Sequence, residues 1–452
     1  MYFTGTLYWV TRVMAMYGGL SAWVAVLINA LLIGYMALYL TVFTLVVRRI
    51  TTISGSSGLL VAPFAWVTIE LGRTYVLTGF PWVLLGYSQS SVLPIAQLAS
   101  LFGVYSVSLL VASVSATLAL IAVRPPNARR YTPAAVAIAI VIGVAVWGSR
   151  RVAASELTHV GEPIRVGLIQ GNVDQGEKWD PARASAIFQE YLRMTRQAIA
   201  QGAQFVVWPE SSTPFYFEED LGGADMVRNI ARTSHVPILL GSDQIEWHVE
   251  GNRRTASKYY NSAFLVRADG TTAGSYRKMH LVPFGEYVPL KELLFFAGPL
   301  VEAVGPFSAG SDPALLPVAG HRISVAICYE VVYPALIRQF IARGSELLTT
   351  ITNDAWFGNT SAPYQHFEQA SMRAIEEGRY LVRSANTGIS GIVDPYGRVL
   401  ERTDIFQAAV LVGEARFLQT STFYARHGDI LAYASLVITI AALAIGRRSR
   451  KI

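Results

Sequence analysis

The sequence predicts a multi-span α-helical membrane domain joined to a soluble α/β domain in which strands alternate with helices. Hydrophobic residues make up 52% of the 452 residues and charged residues only 15%, against about 25% charged in soluble proteins, so part of the chain must avoid water. The apolar residues concentrate before about residue 150 and after about residue 428. We therefore expect a membrane domain at 1–150, a soluble domain at 151–427, and a last membrane helix with a basic tail at 428–452.

The apolar runs before residue 150 indicate about four to five membrane spans. Residues 1–18 lack the basic start of a signal peptide and are interpreted as a short or truncated span. Runs that are long enough to lie in or cross a bilayer of about 30 Å occupy residues 20–47, 59–77, 92–123, 134–148 and 430–446. Of these, 92–123 combines an interfacial segment with a span.

The basic residues lie at the ends of these runs and predict the topology. The clusters at 48–49, 124–130 and 447–451 all fall on one side if the spans alternate, and that side is cytoplasmic by the positive-inside rule. The soluble domain then lies outside, which is the periplasmic face of a bacterial inner membrane. Arg150 and Arg151 oppose this assignment, but long domains translocate largely regardless of charge. A nucleic-acid partner is excluded because the net charge of +6 forms no basic stripe interleaved with aromatic residues.

The second long run carries two ionisable residues, Glu70 and Arg73, on one helical face. They form either an interior ion pair that aids packing or a polar lining of a substrate route, and the sequence leaves both open. The following segment, Gly79-Phe80-Pro81-Trp82, has the aromatic character of a membrane interface.

The soluble domain contains β-rich runs separated by helical patterns, which favours an α/β layered fold. The predicted strands are residues 164–170, 204–208, 236–241, 262–266, 323–328, 347–352, 389–393 and 409–413. The predicted helices are residues 181–201, 222–233, 333–343 and 363–380.

The only cysteine of the chain, Cys328, ends the apolar run 323–328. A single cysteine excludes an internal disulfide, a Cys-x-x-Cys pair and a multi-cysteine zinc site. A buried strand would present the thiol at its carboxyl end. At this point two interpretations stand: a small core hydrophobe, as most buried free cysteines are, or a nucleophile.

Two further segments supply what a thiol nucleophile needs, a base and a cation for the oxyanion. Glu210 ends the apolar run 205–210 and is a candidate base, and Lys278 precedes an apolar stretch where its ammonium could lie in a dry cleft. Each residue alone has an ordinary alternative, as a turn carboxylate or a solvated lysine. His280 and His366 lie near these motifs without spacing partners, and we expect structural or substrate-contact roles for them. No metal or other cofactor is expected.

Other catalytic motifs fit less well. Residues 171–178 resemble a phosphate-binding loop, but Glu177 stands where a lysine is needed. The chain has no Gly-x-Ser-x-Gly elbow.

The order of the three chemical motifs resembles the nitrilase, or carbon–nitrogen hydrolase, superfamily over residues 163–415. The matching segments are Pro209-Glu210, the stretch from Lys278 to Glu286, Ile327-Cys328-Tyr329-Glu330 and Asn353-Asp354-Ala355-Trp356-Phe357. The resemblance implies an αββα sandwich with a catalytic triad of Glu210, Lys278 and Cys328.

The membrane helices narrow the resemblance to the apolipoprotein N-acyltransferase family. The motifs that carry it are Gly79-Phe80-Pro81-Trp82, Lys178-Trp179-Asp180 and Pro283-Phe284-Gly285-Glu286-Tyr287-Val288-Pro289. It implies supporting roles for Trp179, Glu286, Tyr329 and Glu330. Members of that family carry about eight spans, so the chain is expected to begin within the equivalent of the third, by truncation or by loss of two helices.

The resemblance implies transfer of an acyl chain from a phospholipid to the α-amino group of the diacylglyceryl-cysteine that begins an apolipoprotein, the last step of bacterial lipoprotein maturation. Glu210 would deprotonate Cys328, and Lys278 with a backbone N–H near Tyr329 would stabilise the oxyanion. The intermediate would be a thioester. Two alternatives remain: a membrane-anchored nitrilase-type amidase, in which water replaces the amine, and a lipoprotein-binding scaffold with a dead site.

Overall fold

The computed structural model describes residues 1–125, 128–176, 178, 180–250, 253–287 and 307–448. Parts of several features of the sequence interpretation lie outside the described residues: residues 126–127 of a basic cluster, Glu177, Trp179, residues 288–289 of a motif, and residues 449–452 of the basic tail.

Among its described residues, the N-terminal part contains helices and connecting loops but no strand. Its helices are α1 (Tyr2–Thr6), α2 (Trp9–Met16), α3 (Ala22–Ser54), α4 (Ala62–Tyr75), α5 (Leu93–Ala96), α6 (Ala99–Phe102), α7 (Val104–Val123) and α8 (Thr132–Ala154). By length and composition, three helical segments could cross a membrane, Ala22–Thr78, Val104–Val123 and Thr132–Thr158, and the first of them contains both α3 and α4. Leu93–Phe102 and Ile430–Ile445 are shorter apolar helices.

The two ends of this helical part differ in what they contact. At one end, Arg124 after α7 hydrogen-bonds Ser56 and Ser57 in the α3–α4 connection, which follows the part of α3 that carries Arg48 and Arg49. At the other end, the first amide of α7, Val104 N–H, donates to the Glu376 carboxylate of the soluble domain at 2.7 Å. The basic connections and the soluble domain therefore lie at opposite ends of the helices.

Twelve described strands form two six-stranded sheets in the remainder of the chain. The strands are β1 (Pro163–Gln170), β2 (Phe205–Val207), β3 (Ile238–Glu250), β4 (Arg253–Val266), β5 (Thr272–Arg277), β6 (Leu315–Val318), β7 (His321–Ile327), β8 (Leu347–Thr352), β9 (Leu381–Ala385), β10 (Gly391–Val393), β11 (Val399–Arg402) and β12 (Ala409–Arg416). The strand orders are β12-β1-β2-β3-β4-β5 and β11-β10-β9-β8-β7-β6. In each sheet three central strands run parallel, β1–β2–β3 and β7–β8–β9, so their carboxyl ends lie together.

Helices cover the outer faces of the two sheets. They are α9 (Pro181–Ala200) and α10 (Leu221–Ser234) on the first sheet, and α11 (Pro334–Ala342) and α12 (Ala362–Glu377) on the second; α13 (Phe423–His427) and α14 (Ile430–Arg448) return the chain to the membrane helices. The inner faces share one hydrophobic core, which includes Leu168, Val207, Val325 and Ile351. The predicted class of fold, a membrane helical domain with an αββα sandwich, is confirmed.

Several details differ from the sequence interpretation. Strands β5, β6, β9 and β11 were not anticipated, because each is short and is set by pairing with a neighbour. The predicted strand 389–393 begins only at Gly391, and the strand before the cysteine ends at Ile327, so Cys328 lies in the turn that follows.

Candidate active site

Cys328 lies at a sharp elbow between a strand and a short helix. β7 ends at Ile327, and Cys328 begins the 3-10 helix Cys328–Val332 with a φ of +53°. This left-handed conformation costs about 1–3 kcal/mol for a non-glycine residue, and such strain is found at functional sites. The elbow directs the thiol away from the strand and leaves the first amides of the helix without helical acceptors.

Lys278 and two carboxylates form a buried charged cluster beside this elbow. Lys278, which follows β5, is 1% exposed, and its Nζ lies 2.9 Å from Glu286 Oε1 and 3.4 Å from Glu210 Oε1. Glu210 follows the end of β2. Ends of strands from both sheets therefore bring a thiol, an ammonium and a carboxylate to one place.

Asn261 links the two carboxylates. Its Nδ2 donates to Glu210 Oε1 at 2.7 Å and to Glu286 Oε1 at 3.0 Å. Backbone amides hold the other carboxylate oxygens, with Asn353 N–H donating to Glu210 Oε2 and Val282 N–H to Glu286 Oε2, both at 2.8 Å. Every carboxylate oxygen of the pair thus has a donor, which makes burial of the two charges possible.

A glycine allows Glu210 to approach β3. A Cβ on Gly241 would lie 2.5 Å from Pro209 O and 2.6 Å from Ser211 N. A side chain there would push the turn that carries Glu210 out of place.

The electrostatics of the cluster set the resting protonation states. Burial alone would lower the pKa of Lys278, but Glu286 and Glu210 raise it above its ordinary range. Burial, followed by the charge of Glu210, raises the pKa of the Cys328 thiol, and Lys278 opposes this shift. The resting state is therefore an ammonium and a neutral thiol, and the thiol needs a base at the moment of attack.

Glu330 has a structural place in this site. Its carboxylate accepts hydrogen bonds from Tyr276 Oη, from the backbone amides of Met279 and His280, and from Ile327 N–H, at 2.7 to 3.1 Å. These donors flank Lys278 on one side and Cys328 on the other. Glu330 therefore joins the two segments, without contacting the Lys278 ammonium itself within hydrogen-bonding distance.

Tyr329 directs its ring towards the membrane part. The ring stacks on Trp82 at 6.3 Å between centroids and lies 6.5 Å from Phe80. Tyr333, in the residues after the 3-10 helix, donates its hydroxyl to Gly79 O at 3.0 Å. The loop 79–82 of the membrane part thus packs directly on the Cys328 elbow.

Glu70 and Arg73 hold that loop in place. Arg73 Nη2 donates to Trp82 O at 2.8 Å, and Glu70 Oε1 accepts from Leu85 N–H at 2.6 Å. Both are buried. Each side chain thus bonds a backbone group of residues 82–85. A role in packing is therefore favoured over the lining of a substrate route.

Four of the predicted residues, Glu210, Lys278, Glu286 and Cys328, come together, while Tyr329 and Glu330 flank them through the contacts above. Asn261 was missed, because its role depends on the pairing of β4 with β3, where it lies opposite Asp243. His280 packs on Tyr333 at 3.8 Å, and burial, assisted by Lys278, lowers its pKa to about 4. Among the described residues, no group of three or more metal-ligating side chains is placed to hold an ion.

The fold is that of the carbon–nitrogen hydrolase superfamily. The family described as "Carbon-nitrogen hydrolase" matches residues 165–421, and the family described as "Apolipoprotein N-acyltransferase N-terminal domain" matches residues 1–117. Proteins named "Apolipoprotein N-acyltransferase" from Geobacter metallireducens and Methylococcus capsulatus are 41% and 34% identical over 99% and 98% of this chain, and 85% and 84% of their own lengths. A protein of that name from Azotobacter vinelandii is 41% identical over 80% of this chain and 68% of its own length.

The chain therefore belongs to the apolipoprotein N-acyltransferase family. It is an acyltransferase of the carbon–nitrogen hydrolase superfamily and a membrane protein. The amidase alternative is not favoured by these relatives.

Proposed function

We propose that this enzyme transfers a fatty acyl chain from a phospholipid to the α-amino group of the N-terminal diacylglyceryl-cysteine of apolipoproteins, through a thioester on Cys328. One observation carries the proposal: the elbow of Cys328, next to Lys278 and Glu210, packs directly on loop 79–82 of the membrane part. Both substrates are anchored in lipid, so a thiol at this junction is where a bilayer-borne ester and a bilayer-borne amine can meet.

In the first half-reaction Glu210 is the general base. It accepts the thiol proton as the sulfur attacks the ester carbonyl, and the negative charge that develops on the carbonyl oxygen is stabilised by Lys278 and by Tyr329 N–H. The C–O bond then breaks, Glu210 returns its proton to the leaving oxygen, and the lysophospholipid departs. The acyl chain remains on Cys328 as a thioester.

In the second half-reaction the amine replaces the lysophospholipid. Glu210 removes a proton from the attacking nitrogen, and the same donors stabilise the second oxyanion. The C–S bond then breaks, Glu210 returns its proton to the sulfur, and the amide and the free thiol result. Glu286 and Asn261 hold the side chains of Glu210 and Lys278 in position through both steps.

We place the enzyme in the bacterial inner membrane, with the domain at 151–427 on the periplasmic side between the membrane domain at 1–150 and the final helix. Arg124 contacts the α3–α4 connection, and the basic residues at 48–49 lie in the part of α3 that leads to that connection. That end of the helices is cytoplasmic by the positive-inside rule. The soluble domain contacts the opposite end through Glu376 and Val104.

Intact-protein mass spectrometry after incubation with phospholipid vesicles tests the thioester. An acyl adduct that hydroxylamine removes, and that C328S does not form, is the expected result. A lipopeptide with a free α-amine should then discharge the adduct, whereas the same lipopeptide with an acetylated α-amine should not. Absence of an adduct would refute the thioester step, and equal discharge by water would favour hydrolysis over transfer.

A further inference from the structure

We propose that His366 is a positioning residue that fixes the Cys328 elbow by hydrogen-bonding its carbonyl oxygen, and that this contact joins the elbow to the membrane loop through Trp82. The inference rests on Cys328 being the nucleophile of the proposed function. It assigns His366 no proton transfer with the substrate.

The contact itself is direct. His366 on α12 is fully buried, and its Nε2 lies 3.1 Å from the carbonyl oxygen of Cys328. A carbonyl only accepts, so Nε2 must carry the hydrogen. A nitrogen that donates to the backbone has no lone pair for the thiol proton, which rules out a role for Nε2 as the base of Cys328.

The other ring nitrogen is held by charged partners. His366 Nδ1 lies 3.0 Å from Arg383 Nη2 and 3.0 Å from Asp354 Oδ1, and the same Arg383 nitrogen donates to Asp354 Oδ2 at 3.0 Å. All three side chains are fully buried. Burial and then the charge of Arg383 lower the pKa of His366, and Asp354 opposes this shift. In either protonation state Nε2 carries the hydrogen, because it faces the Cys328 carbonyl.

Asp354 also reaches the thiol side of the elbow. Thr352 Oγ1 donates to Asp354 Oδ1 at 2.8 Å and lies within hydrogen-bonding reach of the Cys328 thiol. Gly388 packs against the Asp354 carboxylate so closely that a Cβ there would collide with it. Asp354 thus contacts both His366, which holds the carbonyl of the elbow, and Thr352, which lies near its thiol.

The membrane loop completes the arrangement. Trp82 packs on the His366 ring at 5.4 Å and on Tyr329 at 6.3 Å, and its Nε1 donates to Gln365 at 2.7 Å. The Trp82 indole therefore contacts both Tyr329, which follows Cys328, and His366, which bonds the Cys328 carbonyl. The positive φ of Cys328 stores strain that such contacts must hold.

Two substitutions separate the proposed contact from general packing. In H366Q the side-chain amide nitrogen can occupy the place of Nε2 and donate to the Cys328 carbonyl, while in H366N it reaches only the place of Nδ1. Both lose the ring on Trp82, and H366N lacks one further methylene, so the unfolding temperatures are compared as well. H248Q and H248N, at an exposed position of β3, are the surface controls.

The measurements are single-turnover acylation by phospholipid and alkylation of Cys328, the only cysteine of the chain, by iodoacetamide across pH. We expect H366N to lower the acylation rate about tenfold or more, equivalent to about 1.4 kcal/mol, with an unchanged half-saturating donor concentration. H366Q should stay within about threefold of wild type. The pH midpoint of alkylation should move towards that of an ordinary thiol in H366N, because the sulfur leaves its buried place.

The outcomes distinguish the two proposals. Equal losses in H366Q and H366N, or a loss confined to the half-saturating donor concentration, would overturn the positioning role of His366. If wild-type Cys328 showed the pH profile of alkylation expected of a buried thiol but never acquired an acyl group, the proposed function would be overturned instead. Unfolding temperatures of all four variants show whether any loss of rate follows from loss of fold.

Discussion

Replacing Asn261 with aspartate removes the donor that the two buried carboxylates share and puts an acceptor in its place. Asn261 Nδ2 makes hydrogen bonds of 2.7 and 3.0 Å to Glu210 and Glu286. Hydrogen bonds to charged groups contribute about 1.5–3 kcal/mol each, so losing both costs roughly 3–6 kcal/mol. That is a large part of the 5–15 kcal/mol by which domains are typically stable.

The matched variant N261L loses the same two hydrogen bonds but adds no charge. In N261D the neighbouring carboxylates and burial raise the pKa of the introduced carboxyl above its ordinary value of about 3.9. Each unit of that shift adds about 1.4 kcal/mol of destabilisation at neutral pH. Because this carboxyl takes up a proton on folding, the extra loss is complete above its folded pKa and disappears as the pH falls to about 3.9.

The free energy of unfolding of both variants, followed in detergent by tryptophan fluorescence between pH 5 and 8, gives the test. N261D should be the less stable variant at pH 8. The difference between the two free energies of unfolding should be smaller at pH 5. Acylation of Cys328 should be lost in both variants, because the side chains of Glu210 and Lys278 are no longer held in position. If the two free energies of unfolding were equal at pH 8, or if their difference grew on acidification, the placement of Asn261 between two carboxylates would be refuted.

Further predictions concern the thiol, the cation and the membrane loop. C328S should form no acyl adduct by mass spectrometry and should change the unfolding free energy by less than about 1 kcal/mol, since one buried atom is exchanged. K278M should destabilise by about 3–5 kcal/mol because it leaves buried carboxylates without their cation, whereas K258M, at an exposed surface pair, should change stability little. W82A should cost about 3–5 kcal/mol and speed alkylation of Cys328, with W23A at an exposed position as its control. Because burial raises the pKa of Cys328, wild-type alkylation should keep rising above the ordinary thiol midpoint of about 8.5, and a midpoint at or below that pH would contradict the buried thiol.

The sequence was sufficient for the residues that end strands. Apolar runs before Glu210 and Cys328 predicted strands, and parallel strands in a layered fold bring their carboxyl ends to one edge. Periodicity cannot give the pairing partners of those strands. Asn261 lies in the middle of β4, and only its register with β3 brings it to Glu210.

The sequence indicated a structural or substrate-contact role for His366 but not the contact that it makes, for a related reason. The helical pattern at 363–380 predicted α12, but every face of that helix is largely buried, with His366, Gln369 and Arg373 all at 1% exposure or less. Amphipathic periodicity therefore does not show which face meets the elbow. The loop 79–82 was likewise interpreted as a membrane interface, and its contact with Tyr329 depends on how the two domains pack.

Glu330 shows how two carboxylates in one site acquire different roles. Burial raises the pKa of Glu330 to about 7, although the hydrogen bonds from Ile327, Tyr276 and His280 oppose this shift. All its described hydrogen-bond partners are donors that face the carboxylate from the two segments it joins. Taking up a proton would set a hydroxyl against one of those donors, so acid–base work would loosen the link between Lys278 and Cys328. Glu210, whose Oε1 lies 3.4 Å from the Lys278 Nζ and whose charge acts on the thiol, is the carboxylate that the proposed function uses as the base.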